Sequence, residues 1–354
     1  NSPDDDELTT ATSETGDVLV EEVKLTVDKG QAPVRIDKFI HTFLGNNVSR
    51  TKIQAAAEAG SVMVNGKPVK SNYKIRPLDE ILLLLPKHEQ NFDLVPENIP
   101  LDIVYEDADV IIINKAPDIV VHPGLGNYRG TLINAVLHHF KNLPKTKEEF
   151  RPGLVHRLDK GTSGLIILAK TEHALAHLAK QFFDRTIQRK YMALVWGDVK
   201  DEQGTVTANI GRDTRDRKQM EVYPEGDKGK HAVTHYKVIE RLHYVTLIEC
   251  KLETGRTHQI RVHMKHIGHT LFNDKRYGGD KILKGTVYSK YKQFVENCFA
   301  IMPRQALHAA TLGFLHPATG KKMFFEAPLP DEFNSVLEKW RKYWTNPNAG
   351  VNES

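Results

Sequence analysis

The sequence predicts an α+β chain, with a small basic unit near its start and a larger mixed-sheet domain behind it. Three observations carry that prediction. Apolar residues repeat with helical period early in the chain, and apolar runs of strand length recur later. Helices and strands then mix without the strict strand–helix–strand alternation of a doubly wound sheet. The 354 residues, 40% of them hydrophobic, suffice for two or three domains with a real core.

Residues 1–22 contain eight acids (Asp4, Asp5, Asp6, Glu7, Glu14, Asp17, Glu21 and Glu22) and no Lys or Arg, so they read as a disordered acidic tail. Glu21 and Glu22 break the first apolar patch, so nothing there reads as a signal peptide. Asn stands at position 1, which leaves an upstream segment open. Order is expected from Val23. Residues 23–86 then form a basic unit, ten Lys/Arg against five Asp/Glu. Within it Ile36, Phe39, Ile40, Phe43 and Leu44 fall on one face of a helix. Ser49 is placed to cap a second helix that turns Ile53, Ala56 and Ala57 inward and closes at Gly60. Val62–Val64 reads as a strand, Asn65-Gly66 as a type I′ turn, and Lys67 starts the return. Arg50, Lys52, Lys67, Lys70 and Lys74 around these elements fit an RNA-binding module, although periodicity alone does not establish one.

Residues 87–100, bounded by Pro86 and Pro100, read as a linker. A single domain is expected over residues 101–345, followed by a short tail at 346–354. Val110–Ile113 and Gly164–Ala169 are strands covered on both faces. Thr171 caps a helix whose Leu175, Leu178, Ala179, Phe182 and Phe183 form one stripe. Lys190–Trp196 and Val245–Leu252 return as strands.

Composition narrows the function classes. No apolar run reaches the roughly 18–20 residues of a membrane span. Two distant cysteines, Cys250 and Cys298, make neither a disulfide framework nor a zinc site, which fits a reducing compartment, the cytoplasm. Beyond the tail the chain carries 49 basic against 37 acidic groups, a net of +12, which suits a polyanionic partner and equally a solvated basic surface.

Two clusters carry chemistry. His156-Arg157-Leu158-Asp159-Lys160-Gly161-Thr162-Ser163-Gly164 sets one carboxylate between cations on a loop entering a buried strand. Nearby positive charge keeps such a carboxylate ionised, as a nucleophile needs. Alone, the triplet around Asp159 is more often an ion pair or an Asx-turn than a catalytic group. The second cluster is Glu253-Thr254-Gly255-Arg256-Thr257-His258-Gln259-Ile260-Arg261, where Thr257 is placed to cap a helix ending at Gly268. There Arg256 and Arg261 lie near a helix start suited to anions. His263, His266 and His269 drift around that helix, and no carboxylate completes a metal site with them.

Together with Val120-Val121-His122-Pro123, Gly130-Thr131-Leu132, Lys190-Tyr191, Asp274 with Tyr277-Gly278, and Leu307-His308-Ala309, these clusters resemble the RluA-type ribosomal large-subunit pseudouridine synthases that carry an N-terminal S4 domain. The likeness runs from about residue 23 to 343. It implies an S4-like RNA-binding domain followed by a mixed, mainly antiparallel catalytic sheet with flanking helices. It also implies isomerisation of specific uridines to pseudouridine in large-subunit ribosomal RNA without a cofactor. By resemblance Asp159 is the essential carboxylate, Arg261 pairs with it, and Tyr191 stacks on the target uracil. Arg157 fills the gap left by the extruded uridine, while Leu158 and Ile260 wall the pocket. His156, Lys190, Arg256, Arg50 and Lys52 are the remaining expected RNA contacts. No protein partner or membrane is implied, and a monomer is the default.

Three departures from the family pattern fall at Lys160-Gly161, at Lys115-Ala116-Pro117-Asp118 and at His269–Asp274. They bear on loop shape and are expected to leave Asp159, Tyr191 and Arg261 untouched. Lys281–Arg304 is longer than the chemistry requires and reads as an RNA-contacting insertion. Two other functions stay in view. An enzyme of transfer RNA would share every catalytic residue, and a non-catalytic assembly factor would lack Asp159, Tyr191 or Arg261.

Overall fold

A computed structural model of the chain describes residues 20–45, 48–86, 94–124, 127–141, 153–216 and 219–345. Residues 1–19 of the expected tail, 87–93 of the expected linker and the whole of 346–354 lie outside the described residues. The first strand, β1 (Val20–Thr26), reaches three residues before Val23 and pairs at Val20 with Pro86. After it come α1 (Ile36–Leu44), α2 (Arg50–Glu58), β2 (Val62–Val64), β3 (Lys67–Pro68) and β4 (Glu80–Pro86). The four strands make an antiparallel sheet in the order β1-β4-β2-β3.

Local chemistry explains these elements. The Ser49 hydroxyl accepts a hydrogen bond from Lys52 N at the start of α2, the N-cap expected from sequence. Asn65 and Gly66 both take positive φ, as a type I′ hairpin turn requires. In α1 the apolar stripe is one residue too wide, for Phe43 is 51% exposed. The buried polar residue of that helix is Asp37. Its carboxylate accepts hydrogen bonds from Arg35, Arg50 and Gln54. Burial would raise its pKa, and these donors reverse that and hold it far below the usual carboxylate range.

The larger domain runs β5 (Ile103–Glu106), β6 (Val110–Lys115), α3 (Leu132–Lys141), β7 (Gly153–Leu154), β8 (Ser163–Ala169), α4 (Glu172–Phe183) and β9 (Gln188–Trp196). It continues with β10 (Gln203–Arg212), β11 (Met220–Tyr223), β12 (Lys230–Arg241), β13 (Val245–Leu252) and α5 (Gln259–His266). It ends with α6 (Ser289–Ile301), β14 (Leu307–Leu315), β15 (Lys322–Glu326) and α7 (Asp331–Thr345). Its sheet has the order β11-β10-β12-β13-β9-β14-β8-β6-β5, with β15 on β14 and β7 on β8. Pairing is antiparallel throughout except between β14 and β8. At that join Gly164 adopts φ 111°, and a Cβ there would lie 2.3 Å from the Ala309 carbonyl oxygen, so only glycine fits.

Side chains of β8 alternate between two cores. Ile166 and Leu168 face α3 and α5, whereas Leu165 and Ile167 face α4. Strand β4 is also apolar on both faces. Ile81, Leu83 and Leu85 fill the core of the first unit, while Leu82 and Leu84, with Val20, join the core around α4. Thr171 caps α4 through Ala174 N, as expected.

Lys281–Arg304 divides into an exposed stretch, with Val287 99% and Tyr288 73% exposed, and a helix that packs into the domain. Its α6 packs against α7 through Tyr291, Val295 and Cys298 in a buried cluster with Trp196 and Trp340, so the second half of the segment belongs to the core. No helix among the described residues is long and apolar enough to cross a membrane.

Candidate active site

Asp159 sits on the turn between β7 and β8, and that turn is held from below by its carbonyl groups. Thr162 N donates to the Asp159 carbonyl at 3.0 Å. The Lys115 ammonium donates to the carbonyls of Ala116, Ile119 and Lys160 at 2.8, 2.9 and 3.2 Å. Arg304 donates to the Gly161 carbonyl at 3.0 Å and is tied to Glu332 at 2.7 Å. The Gln305 side-chain amide packs on the turn at Gly161, within 2.5 Å of where a Cβ would stand. Burial pushes the Lys115 ammonium down to about 7, with Asp159 pulling the other way, and its three acceptors match the three N–H bonds of the charged form.

The Asp159 carboxylate meets one partner on each oxygen. Oδ2 accepts from Arg261 Nη1 at 2.7 Å, and Oδ1 lies 3.6 Å from His258 Nε2. Arg261 is itself gripped by Asp274, which accepts from Nε and Nη2 at 2.7 and 2.9 Å in a bidentate fork. Its guanidinium carbon lies 5.0 Å from the centre of the Tyr277 ring. The Tyr277 hydroxyl accepts from Met220 N at 3.1 Å and lies 2.7 Å from His258 Nδ1. In the tautomer where Tyr277 donates to Nδ1, the His258 proton sits on Nε2, facing Asp159. His258 is brought there by a left-handed backbone, φ 57°, at the start of α5. Thr257 therefore does not cap the helix, and the turn is fixed instead by Gln259, which bridges Thr254, Arg256 N, Val233 and Thr234.

Burial alone would raise the Asp159 pKa, but the charges of His258 and Arg261 bring it down to about 2. His258 is pushed by burial down to about 4, so it is neutral at pH 7 and adds its charge only in acid. At neutral pH Arg261 is the cation that keeps Asp159 ionised. The carboxylate opens into a narrow cleft of about 20 Å³ lined by Leu158, Tyr191, Leu252, Ile260 and Leu307. One ionised carboxylate, one fixed guanidinium and one aromatic ring thus meet in an apolar cleft.

A family model described as RNA pseudouridylate synthase matches residues 109–266, and one described as S4 domain matches residues 34–81. A Chlorobaculum parvum protein called an uncharacterized RNA pseudouridine synthase is 49% identical over 91% of this chain and 98% of its own. The chain belongs to the RNA pseudouridine synthase family. A ribosomal large subunit pseudouridine synthase D of Neisseria meningitidis serogroup B is 42% identical over 90% of this chain and 82% of its own. The solved structure of human RNA pseudouridylate synthase domain containing 4 is 26% identical, with a TM-score of 0.54, over 68% of this chain and 92% of that one. The first unit is thus an S4 domain and the second the synthase domain, in the mixed-sheet α+β architecture expected.

Of the residues singled out from sequence, this synthase gathers Asp159, Arg261, Tyr191, Leu158 and Ile260 at one cleft. Arg157 lies exposed beside it. Four expected RNA contacts are placed elsewhere. His156 is fully buried, with Nε2 accepting from Ile167 N and its ring stacked on Phe182 at 4.7 Å, so it braces the strand and does not face RNA. Lys190 points to the opposite face of β9 from Tyr191 and pairs with Glu249 at 3.1 Å. Arg50 is tied to Asp37 inside the S4 domain. Lys52 reaches Glu172 at 4.0 Å, across the junction between the domains.

Arg256 donates to the His231 carbonyl and lines a neighbouring cleft. His263 on α5 hydrogen-bonds with Thr234, and His269 beyond that helix with the Trp196 carbonyl. Three functional side chains escaped the sequence reading: Asp274, His258 and Lys115. The loop at His269–Asp274 does bear on the site, because it delivers the Asp274 fork to Arg261. Asp274 and His258 were visible as motif letters, but nothing in their spacing said which group they would touch.

Proposed function

We propose that this chain isomerises specific uridines of large-subunit ribosomal RNA to pseudouridine, with Asp159 as the reacting carboxylate. The observation that carries the mechanism is the Asp159–Arg261–Asp274 chain, which keeps a single carboxylate ionised and oriented at an apolar cleft. The substrate class follows the large-subunit enzyme of Neisseria meningitidis, matched along most of both chains.

The reaction breaks the bond between N1 of uracil and C1′ of ribose, turns the ring, and joins C5 to C1′. One proton leaves C5 and one is gained at N1, so atoms and electrons balance without a redox partner. Asp159 serves by attacking C1′, by adding to C6, or by taking a ribose proton, and each route needs the same ionised oxygen. Tyr191 offers a π-face to the uracil, Leu158 and Ile260 exclude water, and Arg157 stands where the vacated stack needs filling. Fixed electrostatics and orientation supply most of the acceleration.

The test is pseudouridine mapping of large-subunit RNA, free and in assembling particles, incubated with wild type and with Asp159→Asn. Site-specific product from wild type, reduced at least about 10³-fold in the variant, is expected. Product in transfer RNA alone would overturn the substrate assignment. Product from Asp159→Asn at the wild-type rate would overturn the role of Asp159.

A further inference from the structure

A second cleft of about 150 Å³ opens beside the first, and Leu252 lines both. One wall is β1 of the S4 domain, through Val20 and Glu22; the other is the end of α4, the start of β9 and the loop after β13. Three guanidinium groups line it: Arg185, Arg189 and Arg256. Arg189 is only 8% exposed and lies over the Phe182 ring at 5.0 Å. Its Nε and Nη1 are buried with no hydrogen-bond partner. Orphaned N–H groups on a buried cation are costly unless an acceptor completes them. Arg185 and Arg256 stand close enough that the charge of one lowers the pKa of the other, after burial.

None of the three arginines is ion-paired to a carboxylate among the described residues. The two acids on the rim are matched elsewhere. Glu253 meets His235 at 2.6 Å, and Glu22 lies 3.9 Å from Lys24. Three like charges converging on a cleft, one with unmet donors, call for a multivalent anion with several acceptor oxygens.

We propose that Arg185, Arg189 and Arg256 form a phosphate subsite for the RNA backbone, completed by β1 when the S4 domain is docked. The shared Leu252 places this phosphate on a nucleotide flanking the target uridine. The proposal rests on the RNA substrate reading above and adds where the backbone is held. It also gives the docked S4 domain a part in the cleft itself, as one wall of the phosphate site.

The test compares the full-length wild type, Arg185→Gln/Arg256→Gln and Arg189→Gln with Lys292→Gln and Lys290→Gln/Lys292→Gln, exposed helix positions that remove one and two unit charges. Dissociation constants for the RNA that wild type modifies are measured across a salt series, together with the single-turnover rate at saturating RNA. The double variant is expected to bind about ten-fold more weakly at moderate salt, with the slope of log affinity against log salt reduced by about 1–2. Its loss should fall more on affinity than on the saturated rate. Lys292→Gln and Lys290→Gln/Lys292→Gln should leave the slope unchanged. The double arginine variant judges the proposal even if Arg189→Gln does not fold. A double arginine variant with the wild-type slope, or one matching Lys290→Gln/Lys292→Gln, overturns the subsite while leaving an active synthase. Wild type that yields no pseudouridine in any RNA overturns the underlying reading instead.

Discussion

At the scale of single residues, the site depends on a relay of fixed charges. Asp274 grips two nitrogens of Arg261, which leaves Nη1 alone to face Asp159. Asp274→Asn removes the charge that balances Arg261 and frees the guanidinium to swing. A fall in single-turnover rate of about 10²-fold with unchanged RNA affinity is expected, since misplacement of about 1 Å costs that much. Equal loss of affinity and rate would show that Asp274 acts on binding. The pH dependence follows from the same groups. Asp159, held down to about 2, and His258, pushed down to about 4, each keep one protonation state above the higher of these values. The single-turnover rate should therefore be flat from about pH 5 to pH 7 as far as these groups decide it, and an acid limb near 4 should be altered by His258→Gln. A limb centred near 6 in wild type, abolished by His258→Gln, would contradict the neutral imidazole.

At the scale of elements, α1 and β4 show what periodic patterns convey and where they stop. The stripe in α1 identified Ile36 and Ile40 correctly but counted Phe43 and passed over Asp37, because periodicity weighs apolarity and not available partners. Asp37 has its pKa depressed by its donors, so its contribution to stability is full above about pH 4 and is lost as pH falls below that. Asp37→Asn should lower unfolding free energy by about 1–3 kcal/mol at neutral pH, with the gap to wild type closing in acid. Thermal denaturation at pH 7 and pH 3 checks this. A gap that widens in acid would reverse the sign and reject the assignment. Strand β4, with Leu84 buried against α4 and Leu83 in the S4 core, joins two hydrophobic cores. Leu84→Ala should cost about 2–5 kcal/mol and loosen the contact between domains, seen as faster amide hydrogen exchange in β1 and α4.

Across the whole molecule, the domain order, helices α1, α2, α4 and α5 and strands β2, β6, β8, β9 and β13 were legible because caps, turns and periodicity are local signals. Of the active-site contacts only the Asp159–Arg261 pair was anticipated, and that through the family resemblance rather than through any local signal. Asp159 and Arg261 stand 102 positions apart, Lys115 and Lys160 45 apart, and Arg304 and Gly161 143 apart. A motif names the chemical groups, but only the sheet decides which of them meet. That sheet also fixes a schedule. The strand lying between β8, which follows Asp159, and β9, which carries Tyr191, is β14, Leu307–Leu315, second to last in chain order. A chain emerging from the ribosome has every strand of its S4 sheet by residue 86. It has no means of setting Asp159 beside Tyr191 until residue 315 is made. For most of its synthesis, then, the nascent protein carries its RNA-binding module without a catalyst, and a chain ended before Leu307 should never acquire one.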